Sequence, residues 1–192
     1  MKNKVFILII FVALCCMLAG CGTAPSGYVK NEDGLYEKYD EYTNKTIVSP
    51  ANNFGYALPV EFDYYKGNSE LESFVLITAT KMDTFGILGG SAKSKIITKL
   101  GIYNSDGGKI EVPTQGYGDY DIGVIGISAG TASGITTSSN TAIVSVETAR
   151  TIRDILKGAK PTVRFFYQGG TYEDTTLNNA QIKTALSLLN TL

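Results

Sequence analysis

The sequence predicts an α+β domain, mainly antiparallel β-sheet of about seven to nine strands, with two helices in the C-terminal third. Short segments rich in β-branched and aromatic residues, bounded by turn-forming residues, recur from about residue 41 onward. Amphipathic helical patterns appear only after residue 144. Because strands dominate and the helices cluster late, an antiparallel sheet is favoured over the strand–helix alternation of parallel α/β folds.

Seven strands are predicted before the first helix. Asn104-Ser105-Asp106-Gly107-Gly108 combines residues typical of turns, so the strands on either side of it are expected to form a hairpin. The predicted segments are 46–48, 56–62, 73–80, 96–103, 109–112, 121–127 and 142–146.

Two helices follow from capping signals and apolar stripes. Ser145 or a neighbouring residue can cap the first helix, and Gly158 is expected to end it as a C-terminal cap. Asn178 and Gln181 have the spacing of a capping box for the second. The stripes consist of Val146, Ala149, Ile152 and Leu156 in the first helix and Ile182, Ala185, Leu186 and Leu189 in the second.

A hairpin is expected between the helices. Residues 162–167 alternate as a strand, and Gly169-Gly170 can adopt positive φ as the two central residues of a tight turn. A two-residue turn places Tyr167 opposite Tyr172 and Arg164 diagonal to Glu173.

The N-terminus carries a targeting signal. Lys2 and Lys4 precede a 14-residue apolar run from Val5 to Leu18, which is shorter than the roughly 20 residues that cross a bilayer. The run ends in Leu18-Ala19-Gly20-Cys21, which resembles the lipobox of bacterial lipoproteins. The resemblance implies cleavage between Gly20 and Cys21 and attachment of a lipid, such as palmitate, to the Cys21 sulfur.

This resemblance sets the expected organisation and location. Residues 1–20 are the signal peptide, 21–38 are the lipidated cysteine and a flexible tether of about 20–25 Å, and 39–192 form one domain. The protein is expected on a bacterial cell membrane, held by the lipid on Cys21. Gly22 replaces the aspartate that resembles an inner-membrane retention signal, which favours the outer membrane if the cell has two.

Composition excludes several classes of chemistry. All three cysteines lie in the signal or at its cut, so the mature domain has no thiol and no disulfide. Loss of Lys2 and Lys4 leaves 15 basic and 18 acidic residues, a net charge of −3, which argues against nucleic-acid binding. The chain has no histidine, the usual general base and metal ligand. We expect neither a cofactor nor a metal.

One segment matches a catalytic motif. Gly126-Ile127-Ser128-Ala129-Gly130 fits the G-x-S-x-G nucleophile turn and follows an apolar strand. A serine nucleophile needs a base to accept its proton, and without histidine only a lysine remains. An envelope hydrolase using Ser128 with Lys93, Lys95 or Lys157 is therefore the alternative function, and a strand running into a loop of small residues is the favoured interpretation.

Three further patterns are interpreted structurally. Residues 86–94 lack the glycines that a phosphate-binding loop needs. Asn104–Gly108 and Asp119-Tyr120-Asp121 offer oxygen ligands without the spacing of a calcium loop, so turn chemistry explains them. Glu61 and Asp63 share one face of a strand; the carboxylate pair of a glycoside hydrolase is one interpretation, and a solvated face is the favoured one.

A long polar loop is the candidate binding region. Residues 128–140 are rich in Gly, Ser and Thr, and loops of that length are often functional. Its candidate contact residues are Tyr117, Tyr120, Ser128, Thr131, Ser133 and Thr136. We therefore expect a non-enzymatic, lipid-anchored envelope protein that binds an envelope protein, glycan or peptide or has a structural role. A surface adhesin or phage-exclusion factor differs from this only in its partner.

Overall fold

The part of the chain that the structure describes folds into two antiparallel sheets and two helices, which confirms the predicted fold class. The computed structural model describes residues 26–54, 58–86, 95–128 and 131–192. The strands are β1 (Val29–Lys30), β2 (Tyr36–Asp40), β3 (Lys45–Ser49), β4 (Val60–Lys66), β5 (Phe74–Gly86), β6 (Ile97–Tyr103), β7 (Lys109–Pro113), β8 (Gln115–Ser128), β9 (Thr131–Ser145), β10 (Thr162–Tyr167) and β11 (Tyr172–Thr176). The helices are α1 (Val146–Leu156) and α2 (Asn179–Leu189).

The larger sheet has seven strands in the order β1-β2-β3-β4-β5-β9-β8. Its long central pair matches Phe74 with Ser145 and Gly86 with Ser133. Two short 3-10 helices, Ala51–Phe54 and Glu70–Glu72, connect β3 to β4 and β4 to β5.

The smaller sheet has four strands in the order β11-β10-β6-β7. Val163, Phe165 and Tyr167 on β10 are buried, whereas the residues between them are partly exposed, as expected for a sheet with one face on the core. β6 contributes Ile97, Leu100 and Ile102 to the same hydrophobic cluster. The cluster also includes apolar residues of β4, β5, β9 and both helices.

Both helices begin as predicted, because their caps are local signals. The Ser145 side chain accepts a hydrogen bond from the Thr148 N–H, and Asn178 with Gln181 forms the complete capping box. In α1, Val146, Ala149, Ile152 and Leu156 are buried as the stripe predicts. In α2, Ala185 and Leu189 are buried as predicted, together with Thr184 and Leu188.

The end of α1 differs from the prediction, since Gly158 is not a left-handed cap. The cap residue is Lys157, with right-handed φ and ψ. A Cβ on Gly158 would lie 2.2 Å from Asn104 Nδ2, so a larger residue there would displace the Asn104 side chain. That side chain donates a hydrogen bond of 2.9 Å to the Ile155 carbonyl at the helix end.

The prediction of a tether extending to residue 38 was wrong. β1 and β2 are strands of the large sheet, and Leu35 between them is only 2% exposed. These two strands account for the difference between the nine strands expected at most and the eleven strands observed in the described residues. β2 has the sequence YEKYD, which lacks the apolar alternation that marks a strand with one buried face.

The predicted register of the β10–β11 hairpin was wrong by one residue. Phe166 pairs with Tyr172 and Arg164 with Asp174, so the turn has three residues, Gln168, Gly169 and Gly170. Both glycines do adopt positive φ, 99° and 85°. A shift of one residue turns every side chain to the opposite face, and this register pairs Arg164 directly with a carboxylate.

Candidate functional site

The proposed lipidation site lies outside the described residues. Gly20 and Cys21 precede Ser26, the first residue that the structure describes. No helix in the described part of the chain is long and apolar enough to cross a membrane.

The candidate binding region is a strand pair, so the prediction of a loop over residues 128–140 was wrong. Tyr117, Tyr120 and Ser128 lie on β8, and Thr131, Ser133 and Thr136 lie on β9. The backbone register pairs Tyr120 with Ser138, Ile122 with Thr136, Gly126 with Ser133 and Ser128 with Thr131. A cluster of Gly, Ser, Thr and Asn residues with few apolar ones is typical of a loop, whereas pairing with β5 and β8 makes the segment a strand.

This arrangement separates Ser128 from one of the three candidate bases. The Lys95 ammonium pairs with the Glu173 carboxylate, which also lies 3.6 Å from the Lys81 ammonium. Lys81 pairs with Ser138 of β9, and Ser128 pairs with Thr131 of the same strand. These two partners are seven residues apart on β9. At about 3.3 Å per residue this corresponds to roughly 23 Å of strand. Of the other candidates, Lys157 follows α1 and Lys93 lies outside the described residues.

The oxygen-rich turn at residues 104–108 uses its oxygens for protein contacts. Asn104 Oδ1 accepts hydrogen bonds from the N–H groups of Asp106 and Gly108. Asp106 Oδ2 accepts one from the Ala159 N–H at 2.7 Å. Turn chemistry therefore accounts for these residues. Within the described segments, no group of three or more Asp, Glu, His or Cys residues is arranged to hold a metal ion.

Two carboxyl groups with raised pKa values, Glu61 and Asp63, lie on β4. They share one face of the strand, as predicted, but both are partly buried, so the expectation of a solvated face was wrong. Ser49 Oγ donates a hydrogen bond to Asp63 Oδ1, and Asn53 Nδ2 donates another to the same oxygen at 3.3 Å. We call Ser49, Asn53, Glu61 and Asp63 the carboxyl cluster.

Burial determines the protonation of this cluster. The pKa of Glu61 is raised to about 7, mainly by loss of hydration; the hydrogen bond from the Leu58 N–H opposes this rise and the Asp63 charge adds to it. Loss of hydration also raises the pKa of Asp63, whereas its bonds from Ser49 and Asn53 oppose this. Near neutral pH the Glu61 carboxyl is therefore present in both forms and can donate or accept a hydrogen bond.

An aromatic pair borders the carboxyl cluster. Tyr65, two residues beyond Asp63 on β4, stacks on Phe74 with ring centroids 4.7 Å apart and planes 11° from parallel. The Asp63 charge contributes to a raised pKa at Tyr65, after loss of hydration as the larger cause. A stacked aromatic pair beside half-buried carboxyl groups offers both apolar contact and hydrogen-bonding groups to a ligand.

The exposed face of the small sheet carries a second arrangement of charged and aromatic residues. Arg164 forms a bidentate ion pair with Asp174, both bonds 2.7 Å, and its guanidinium lies 4.0 Å from the Tyr172 ring centroid. The bond from Arg164 lowers the pKa of Asp174. Lys99 similarly bonds Glu111 while lying 4.1 Å from the Phe166 ring centroid. Each of these cations is paired with a carboxylate on the same face of the sheet. The arrangement therefore favours a structural role on this face.

Sequence reasoning identified part of the carboxyl cluster. The two-residue spacing placed Glu61 and Asp63 on one face, but their burial depends on Ser49 and Asn53, which approach from β3 and the following 3-10 helix. Comparison with protein-family models, curated proteins and solved structures finds no match for this chain.

We expect the carboxyl cluster to make stability fall as pH rises. Glu61 has its pKa raised from 4.5 to about 7, so the fold favours the protonated form, and stability present below pH 4.5 is lost between pH 4.5 and 7. After allowance for solvent screening of a partly exposed group, the loss is about 1–2 kcal/mol. Asp63, whose pKa is also raised, contributes in the same direction.

Thermal unfolding between pH 4 and 8 measures this effect. The Glu61→Gln variant should lose most of the decline and melt above the native protein at pH 8. Glu41→Gln removes a carboxylate from the exposed β2–β3 turn and should keep the native profile. A Glu61→Gln profile that parallels the native one would contradict the assignment.

Proposed function

We propose that this protein is a lipid-anchored protein of the bacterial cell envelope that acts by binding a partner rather than by catalysis. The observation that carries the proposal is the Leu18-Ala19-Gly20-Cys21 sequence after a short basic and apolar segment. An envelope protein, glycan or peptide is the partner class. The outer membrane is the proposed location in a cell with two membranes.

The carboxyl cluster and the aromatic pair beside it support a binding role. Glu61 offers a hydrogen-bonding group that both donates and accepts near neutral pH, and the Tyr65–Phe74 stack between β4 and β5 offers apolar surface two residues beyond Asp63. Neutral polar ligands such as glycans and peptides are recognised by this combination of few polar groups with aromatic contacts.

The anchor is tested by replacing the modified residue. The Cys21→Ala variant should lose incorporation of an alkyne-labelled palmitate and should leave the membrane fraction, because lipid chains contribute about 0.8 kcal/mol per buried methylene. Cys16→Ala removes a cysteine from the apolar run and should keep both the label and the membrane association. Unchanged membrane retention of the Cys21→Ala variant would contradict the proposal.

The hydrolase alternative is tested with a serine-reactive fluorophosphonate. We expect the native protein to stay unlabelled, since an unactivated serine hydroxyl reacts poorly. Labelling that disappears in Ser128→Ala and persists in Ser133→Ala would establish the alternative and overturn the non-enzymatic proposal.

A further inference from the structure

The chain joins the fold close to the proposed anchor. Five peptide units separate Cys21 from Ser26, and fully extended they span at most about 18 Å. β1 pairs with β2 through Val29 and Glu37, and Gly27, in the turn before β1, lies beside the Lys38 side chain, so the chain enters near the Asp40 end of β2. Tyr28 keeps that alignment, because the Lys38 ammonium lies 5.8 Å from its ring centroid.

The same end of the large sheet holds the β2–β3 turn and the 3-10 helix between β4 and β5. Lys45, the first residue of β3, donates a hydrogen bond of 2.6 Å to the Glu72 carbonyl and so connects the two. We call this region, residues 41–44 with Glu70–Glu72, the proximal end.

The proximal end exposes two large apolar side chains almost completely. Tyr42 is 97% exposed and Leu71 is 100% exposed. Tyr39, which precedes the turn on β2, is 57% exposed. A single exposed leucine is ordinary on a protein surface, but here the most exposed residues coincide with the place where the chain comes from the anchor.

Charge does not account for attraction of this end to a membrane. Glu41, Glu70 and Glu72 are acidic, and the basic Arg150 is engaged by Glu70 in a bidentate pair with a shorter bond of 2.7 Å. Contact with a bilayer would therefore depend on the exposed side chains of Tyr42 and Leu71. Tyrosine is enriched at membrane interfaces because its ring is apolar and its hydroxyl is polar.

We propose that the proximal end rests on the bilayer that holds the anchor, with Tyr42 and Leu71 at the level of the lipid headgroups. This inference rests on the proposed lipidation of Cys21. It orients the domain, because the ends of β4 and β5 near Tyr65 and Phe74 face the membrane and the β10–β11 turn lies away from it. Glu173 beside that turn contacts Lys81, seven residues or roughly 23 Å along β5 from Phe74.

Single tryptophans test this orientation, since the chain contains none. The Tyr42→Trp, Leu71→Trp and Tyr172→Trp variants each place one at an exposed position, Tyr172 being 54% exposed beside the β10–β11 turn. Each full-length lipidated protein is reconstituted in phosphatidylcholine vesicles with or without bromine on the upper acyl chain. Flotation of the same preparations reports membrane association.

We expect brominated lipid to cause a large loss of emission in Tyr42→Trp and Leu71→Trp and little loss in Tyr172→Trp. Proteins that float but lose emission equally at all three positions, or most at Tyr172→Trp, would overturn the orientation while leaving the anchor intact. Proteins that do not float would overturn the anchor, and the orientation with it.

Discussion

Phe165→Ala is expected to lower the free energy of unfolding by about 3–5 kcal/mol. Phe165 is 0% exposed and stands opposite Leu100 in the centre of the small sheet. Removing its ring leaves a cavity among residues of the shared hydrophobic cluster, which the surrounding strands can only partly close. Urea denaturation followed by far-ultraviolet circular dichroism measures the change.

Phe166→Ala is the matched control for Phe165→Ala. Phe166 is the next residue on β10 and faces outward, where it contacts the Lys99 ammonium at 4.1 Å and the tilted Tyr172 ring at 6.1 Å. Loss of these exposed contacts should cost no more than about 1 kcal/mol. Equal costs for the two variants, or a larger cost for Phe166→Ala, would show that the facing of β10 is wrong.

Asn104→Ala is expected to lower the free energy of unfolding by about 2–4 kcal/mol, because three hydrogen bonds of its side chain are lost together. Two hold the β6–β7 turn through the N–H groups of Asp106 and Gly108, and the third reaches the Ile155 carbonyl at the end of α1. The variant should therefore loosen the turn and the helix end at once. Amide hydrogen exchange should show faster exchange at both places.

Ser105→Ala provides the comparison within the same turn. Ser105 is exposed, and its backbone N–H bond to the Ala159 carbonyl survives the substitution. Its effect should stay within about 0.5 kcal/mol. If Asn104→Ala proves as mild as Ser105→Ala, the amide does not connect the turn to the helix in solution.

The elements predicted well are those whose signals are local. Ser145 caps α1 and Asn178 with Gln181 caps α2 because each cap needs only residues within one helical turn. The strand cores near residues 46–48, 96–103 and 162–167 were predicted for a similar reason, since β-branched and aromatic residues are concentrated there.

The elements that were missed depend on distant partners. β2 is polar and charged, and its strand conformation comes from pairing with β3. The middle of β9 is a strand between β5 and β8 although its Gly, Ser and Thr residues resemble a loop. The sequence indicated a helix end at Gly158. The structural role of the glycine is to leave room for the side chain of Asn104, which lies far away in the chain.

The candidate site was predictable only in part for the same physical reason. Period-two spacing places Glu61 and Asp63 on one face whatever surrounds them. Their raised pKa values come from loss of hydration, and the groups that enclose and bond Asp63 belong to β3 and the 3-10 helix after it. A spacing rule contains no information about enclosure by other segments.

The interleaving of the two sheets has a consequence for how the chain folds. β6 and β7 lie between β5 and β8 in the sequence but belong to the other sheet, and their partner β10 comes only after α1. β1 to β5 pair in the order in which they appear, and so do β6 with β7, β8 with β9 and β10 with β11, but each sheet is completed by one pairing between distant strands, β5 with β9 and β6 with β10. Neither sheet can therefore be completed until the last third of the chain is present. Pairing of strands that lie far apart in the sequence is slow, in the range of milliseconds to seconds. A chain interrupted before residue 162 would leave β6 paired with β7 alone, with the edge that β10 occupies unpaired.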